Sequence, residues 1–405
     1  MLLTISKRFE ISSSRRVIRP DWSERENQRW YGPAFGGKHG HGINGVIHLV
    51  FSGPVDPATG MMINVSIVKS RIVELLSQKY DHKYLNVDTL PFDRIPPTAG
   101  NLAKQILSDS QPLFADSSAK PFACHVDDTD LSSATAFADG HVEEHHWLSF
   151  SAARSTRSPH LSEQENAEMF GVAANRSGHG HNYRLRVTLS GDFHSEIGTY
   201  SPHDELKGSL NELTSWLDHK NLNLDVPQLA SLPITTESLA RFSFQKLRTS
   251  LPVHQVQLYE LKNFFAGFDH VRRFSLGLID SFHAAHRLQS DRLSENENVA
   301  TYGKCANPSG HGHQYRVEAT FGGQYDERSG TLGKLDLFTK ALRKSVEPWD
   351  YKHLNLETSD FEGVPSTGEN IIVRLWDRLD ALVDGKLERL RLWETPNNRF
   401  SLRRD

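Results

Sequence analysis

Two short motifs recur three times along this chain, and no other feature limits its architecture as much. His39-Gly40-His41, His179-Gly180-His181 and His311-Gly312-His313 lie 140 and 132 residues apart. Asp81-His82-Lys83-Tyr84-Leu85-Asn86, Asp218-His219-Lys220-Asn221-Leu222-Asn223 and Asp350-Tyr351-Lys352-His353-Leu354-Asn355 follow at intervals of 137 and 132. The second histidine of each pair precedes the aspartate by 40, 37 and 37 residues. In a chain with 21 histidines a single His-Gly-His could be a scattered polar pair. Two motifs kept in step three times are a repeat. Three homologous domains are expected, over 1–135, 146–268 and 272–405 of the 405 residues. The Ser/Ala/Asp/His-rich stretch from Asp130 to His146 is expected to link the first two, and Asn263 to Arg273 to be a packed crossover.

Each unit reads as strand, strand, helix, helix, strand, strand, an α+β pattern. Tyr183, Leu185, Val187 and Leu189 alternate with Arg184, Arg186, Thr188 and Ser190, and Tyr315, Val317, Ala319 and Phe321 repeat the alternation. That is the period of a half-buried strand. A Gly-rich turn follows, most clearly from Gly53 to Gly60, and then a short strand. Ser201-Pro202-His203-Asp204 reads as a helix start with a capping box, and Leu206, Leu210, Leu213 and Leu217 form one helical face. The second helix of each unit starts at Thr98, Thr235-Thr236 or Ser366-Thr367, with Ser366 and Glu369 as a further capping box.

Composition excludes several classes. A formal charge of -4 without a Lys/Arg stripe argues against nucleic acid. No apolar run is long enough to span a bilayer, and the N-terminal residues do not read as a signal peptide. Two cysteines, Cys124 and Cys305, cannot make a disulfide framework. The expectation is a cytoplasmic protein, with Cys124 buried as a small apolar residue.

The chemistry concentrates in the third unit. His311 and His313 are two apart on a strand, so both rings point to one side. His286, on the neighbouring strand, can supply a third nitrogen, and three histidines with an open fourth position are the ligands of catalytic zinc. Cys305 lies close upstream and could serve as a base, since a cation nearby lowers a thiol pKa.

Phe282 to Leu288, Leu293-Ser294-Glu295-Asn296-Glu297-Asn298, Gly303 to Tyr315, Ser366 to Asn370 and Trp393-Glu394-Thr395 resemble the family of 6-pyruvoyl-tetrahydropterin and 6-carboxy-tetrahydropterin synthases. The second unit resembles it almost as widely, and the first is more diverged. The resemblance implies three tandem tunnelling-fold domains, each a four-stranded antiparallel sheet with two helices on one face. They would close into a pseudo-threefold barrel, and two barrels would stack as a homodimer. It implies a zinc-dependent carbon–oxygen lyase acting on 7,8-dihydroneopterin triphosphate, with zinc on His286, His311 and His313 and Cys305 moving protons. Glu394 would anchor the pterin ring, with Ser366 and Thr367 near its edge, and Glu260 would be the second unit's anchor.

Departures from the family pattern shape the rest. Tyr351 replaces the catalytic histidine after Asp350. Arg154 and Ala173 stand at the zinc-histidine and cysteine positions of the second unit, and Arg15 and Ala34 at those of the first. Asp128 is the first unit's nearest ring anchor. Asp218-His219 and Asp81-His82 are intact, so a shared site is expected, in which a neighbouring unit gives its Asp-His pair to Cys305 and the zinc of the third. His219 is preferred over His82, with Tyr351 or His353 as a local alternative. A pterin-binding or regulatory protein without turnover, and a structural assembly module, are the other readings.

Overall fold

A computed structural model describes residues 1–404. The first unit supplies β1 (Leu2–Arg15), β2 (His41–Ser52), β3 (Lys120–Thr129) and β4 (Ser132–Phe137). The second supplies β5 (Val142–Arg154), β6 (His179–Leu189), β7 (Val253–Leu261) and β8 (Phe264–Asp269). The third supplies β9 (Phe274–His286), β10 (His311–Phe321), β11 (Leu387–Thr395) and β12 (Asn398–Arg403). Each strand pairs antiparallel with its neighbours round a ring. β12 joins β1, β4 joins β5, β8 joins β9, and within each unit the order follows the chain. The result is one closed twelve-stranded barrel, so no barrel strand is left with an open edge. The stretch expected to be a linker is therefore β4 and the start of β5. Ser132, Ser133 and Ala134 pair with His146, His145 and Glu144, because small residues alternating with polar ones suit a two-faced strand. Asn263 to Arg273 likewise contains β8.

Helices coat the outside, and the lumen is polar. Each unit has two long helices: α1 (Val65–Lys79) and α2 (Ala99–Ser110), α3 (His203–Leu217) and α4 (Thr236–Leu247), and α5 (Leu335–Val346) and α6 (Gly368–Leu382). Their apolar faces pack on the outward residues of the strands. One apolar core runs through the second and third units, and the first unit has its own around Ile47, Leu49, Ile72 and Leu102. Cys124 is buried in that second core, as a small hydrophobe would be. No helix among the described residues is long and apolar enough to cross a membrane.

Several local signals resolve differently from the sequence reading. Pro202 caps α3 with no side-chain bond, and Ser201 lies outside the cap. Thr367, not Ser366, caps α6. The capping boxes are elsewhere, at Ser23–Glu26, Ser162–Glu165 and Ser294–Glu297, where each starts an eight-residue helix. In place of the short strand after the Gly-rich turn there is a tight loop. Its glycines, Gly60, Gly198 and Gly330, all have positive φ, at 67°, 76° and 79°.

Those three loops lock the ring. The Thr367 hydroxyl donates to the Gly60 carbonyl (2.7 Å), and Thr98 to that of Gly198 (2.7 Å). Thr235 repeats the bond to Gly330. The first unit thus docks on the third, the third on the second and the second on the first. A Cβ on Gly198 would stand 2.6 Å from both Thr98 Oγ1 and Asn101 Nδ2, so the loop passes too close to the helix end for any side chain.

Candidate active site

The strand pairs β1–β2, β5–β6 and β9–β10 run on past their other neighbours at one end of the barrel. There β9 brings His286 opposite His311, and Ala284 opposite His313. The three imidazole centroids lie 4.6, 5.0 and 5.3 Å apart, and one nitrogen from each falls within 4.8 Å of the others. His286 Nδ1 donates to the Ser366 carbonyl (2.9 Å). A carbonyl can only accept, so Nδ1 carries the proton and the Nε2 lone pair is free for a ligand. Burial keeps His286 neutral, pushing its pKa down to about 3. His311 Nδ1 and His313 Nε2 are buried without a hydrogen-bond partner. Converging, partly unpartnered imidazoles fit a zinc ion.

Around this centre, the Glu394 carboxylate lies 3.8 Å from His286 Nε2 and 3.9 Å from His313 Nε2. Cys305 sits half-buried in a 3-10 turn, Gly303–Ala306, whose backbone accepts from Leu288. Burial, and then the Glu394 charge, push its thiol above the usual range. The protein alone thus works against the expected thiolate, and a cation on the histidines is the element that would oppose it. Ser366 and Thr367 are both buried. The Ser366 hydroxyl bonds Arg287 and Asn355, and Thr367 holds the first unit's loop. Two contributors escaped the sequence reading. Asn355 Oδ1 accepts from the Arg287 amide (2.9 Å) and pins the chain just past His286. The buried Tyr315 hydroxyl lies 3.5 Å from His286 Nε2. The signal for the first was its recurrence as Asn86 and Asn223, which make the same bond to Arg16 and Ser155.

The other two units fill the same space differently. In the second, Arg154 replaces His286 and lies buried against Glu260 and the Thr236 hydroxyl, while His181 Nε2 is 3.0 Å from Glu260. The His179, His181 and Glu260 side chains converge as metal ligands could, but a guanidinium already carries the positive charge there. In the first unit Arg15 is buried against Asp128 and the Pro97 carbonyl. Glu260 and Asp128, the carboxylates at the position expected to anchor a ring, are both engaged by arginine.

The strand register also corrects the first unit's motif. Arg15 pairs with His41 as Arg154 does with His179 and His286 with His311. Gly40, Gly178 and Gly310 share φ values of 78°, 71° and 72°. His41 is therefore equivalent to His179, Ile43 to His181, and His39 lies outside the site. Gly40 and Gly42 flank His41, so the motif can be read two residues early.

The aspartates hold one position in all three units. Asp81, Asp218 and Asp350 each accept a strand amide, from Ser12, Ser151 and His283 (2.8 Å each). In the first two, the other oxygen meets His82 Nδ1 or His219 Nδ1 at 2.8 Å. In the third, Arg343 takes that oxygen and Tyr351 stacks on the His283 ring at 5.0 Å. His82, His219 and Tyr351 share a positive φ of 55°, 55° and 59° and are exposed at the barrel end. His353 lies two residues beyond Tyr351, opposite Ala285. Among the described residues neither His82 nor His219 bonds to the third unit.

Comparison with known proteins agrees with this threefold anatomy. The family profile described as 6-pyruvoyl tetrahydropterin synthase matches residues 4–138, 146–270 and 276–405. The 6-pyruvoyl tetrahydrobiopterin synthases of Pongo abelii and Homo sapiens are 41% and 40% identical over 120 residues, 29% of this chain and 83% of each relative. A solved structure of Caenorhabditis elegans 6-pyruvoyl tetrahydropterin synthase is 32% identical, covering 32% of this chain and 95% of that one, with a TM-score of 0.32. With matches over nearly all of its three structurally equivalent units, the chain belongs to the 6-pyruvoyl tetrahydropterin synthase family.

Proposed function

We propose that the third unit carries a zinc-dependent carbon–oxygen lyase site that acts on 7,8-dihydroneopterin triphosphate and releases triphosphate. The observation that carries this reading is the convergence of His286, His311 and His313 beside Glu394 and Cys305, in the one unit whose anchor carboxylate is not engaged by arginine. The three histidines would hold the ion, which when bound polarises the oxygens of the substrate side chain. Glu394 accepts hydrogen bonds from the ring amine and amide, and so fixes the side chain over the histidines. Cys305 Sγ takes a carbon-bound proton and returns it. Ser366 acts through His286, whose ring it orients, rather than by touching substrate.

A second proton carrier comes from one of the two intact Asp–His pairs. In each, the aspartate fixes Nδ1 and leaves Nε2 pointing outward, the form a proton relay needs. Both pairs lie at the barrel end, where a second copy of the chain would stack, and the proposal includes a homodimer formed through that end. It keeps the chain cytoplasmic, in line with two free cysteines. Tyr351 at the third relay position favours a second reading, a pterin-binding protein without turnover. Incubating zinc-loaded protein with dihydroneopterin triphosphate decides between them. A product lacking triphosphate, lost on chelation and regained with zinc, supports the lyase. Tight binding of intact substrate without product supports the alternative.

A further inference from the structure

Inside the barrel is a cavity of about 380 Å³ lined only by strand residues. In a ring of identical subunits each lumen position would repeat three times. Here the equivalents differ. The register makes His48, Arg186 and Glu318 one set, facing His125, Gln257 and Arg391 on the next strands. Ser133, Phe265 and Arg399 are another set. The lumen is therefore polarised, and its cations gather from two sides. Arg389 and Arg391 on β11 and Arg399 on β12 form one wall, and Arg186 on β6 stands on the opposite wall.

The nearby carboxylates balance them only in part, although the Glu143 and Glu318 charges both act on Arg186. Glu318 accepts from both Arg389 (3.4 Å) and Arg391 (3.0 Å). Asp127 faces His125 (3.1 Å), and Glu143 faces His141 and His145 (3.8 and 3.9 Å). Arg186 reaches Gln257 at 3.5 Å, and Arg389 Nε and Arg399 Nε are buried without a partner. Burial first, and the neighbouring Arg391 second, push Arg389 down to about 10 and Arg399 to about 9. Like charges converging from opposite walls of a confined space repel each other and lack their full solvation. A multiply charged oxyanion between them turns that repulsion into charge-assisted hydrogen bonds, and the guanidinium fork matches its geometry.

We propose that the lumen is a phosphate-class oxyanion site, taking one anion per chain between Arg186 on one wall and Arg389, Arg391 and Arg399 on the other. The anion could be free phosphate or a condensed phosphate such as triphosphate, the leaving group of the proposed reaction. The site itself stands apart from the zinc chemistry. The test is calorimetric titration of the full chain with inorganic phosphate, and separately with triphosphate, at constant ionic strength. Four proteins are compared: the parent, Arg186→Gln, Arg399→Gln and His311→Ala. We expect saturable binding near one anion per chain, weakened roughly tenfold or more in either arginine variant and unchanged in His311→Ala. Tighter binding of triphosphate names the condensed anion, and equal binding names a single phosphate group. Arg399→Lys keeps the charge without the fork and stands in if Arg399→Gln does not fold. The absence of saturable binding to the parent overturns the site. So does unaltered binding in both arginine variants, or loss of binding in His311→Ala, which would move the anion to the histidines.

Discussion

Arg154 and His286 occupy one position in two copies of the same fold, and the first builds a salt-bridged core where the second completes a candidate metal site. A guanidinium cannot give up its charge and sits on Glu260, so the His179–His181 pair faces a permanent cation. One tightly held zinc per chain is expected by elemental analysis after dialysis, and none in His311→Ala. Arg154→His should raise the content towards two, because His179 and His181 are already in place and Glu260 is freed. A content that stays at one would mean that more than the arginine blocks the second site. Relay residues give the second test at this scale. His219→Ala or His82→Ala should lower turnover by roughly 10²–10⁴-fold with zinc retained. Loss on Tyr351→Phe or His353→Ala instead would assign the relay to the third unit. The sequence exposed these residues because metal ligands and their replacements are read by type and spacing. It misplaced His39, because a motif two residues out of register looks identical until strand pairing fixes it. The commitment of Ser366 and Thr367 to backbone carbonyls was hidden for a related reason, since hydrogen-bond partners more than 70 positions away leave no local trace.

At the level of elements, the first turn of α6 carries the joint between the third unit and the first. Glu369, fully buried, accepts the Met62 amide from the first unit's loop (2.8 Å). Burial is the main cause that raises its pKa from the ordinary 4.5 to about 7. A carboxyl whose pKa is higher folded than unfolded binds protons more tightly when folded. Its contribution to stability is therefore complete below about 4.5 and is lost as pH rises through about 7. Glu369→Gln keeps the acceptor and removes the charge, so thermal melts should show it gaining on the parent between these values and levelling off above. A tenfold change in proton affinity is worth about 1.4 kcal/mol, so the gain is at most a few kcal/mol. A constant difference across pH would show that Glu369 does not titrate in this range. The strands and long helices of each unit were legible, since periods of two and of about 3.6 survive divergence. The stretch mistaken for a linker was not. β4 is rich in Ser, Ala and Thr because its lumen side is polar and its outer side meets α2, and that composition resembles a loop.

On the scale of the whole molecule, three repeats predict three domains but not that they close, because closure depends on strands paired across the full length of the chain. β1 meets β12 through Leu2 to Lys7 and Asn398 to Arg403, and no periodicity announces that. With the ring closed, one end still carries features a lone barrel does not need. Val87, Leu224 and Leu356 follow Asp81, Asp218 and Asp350 at equivalent positions and are 71%, 78% and 80% exposed. Beside them stand the exposed rings of His82, His219 and Tyr351. A threefold set of bare aliphatics is a surface suited to a second copy of itself. Light scattering should give twice the mass of one chain, falling to one chain when Leu224 and Leu356 are both changed to Asp. If the second chain also supplies the relay, turnover falls with the mass while zinc content does not. Mixing separates this from a relay within one chain. Cys305→Ala keeps both Asp–His pairs, and the His82→Ala, His219→Ala double variant keeps the zinc histidines and Cys305. Each should be nearly inactive alone. Subunits exchanged between them place an intact relay from one chain against an intact Cys305 from the other, so activity should reappear on mixing. Two dimeric proteins that exchange subunits and stay inactive would confine the relay to a single chain.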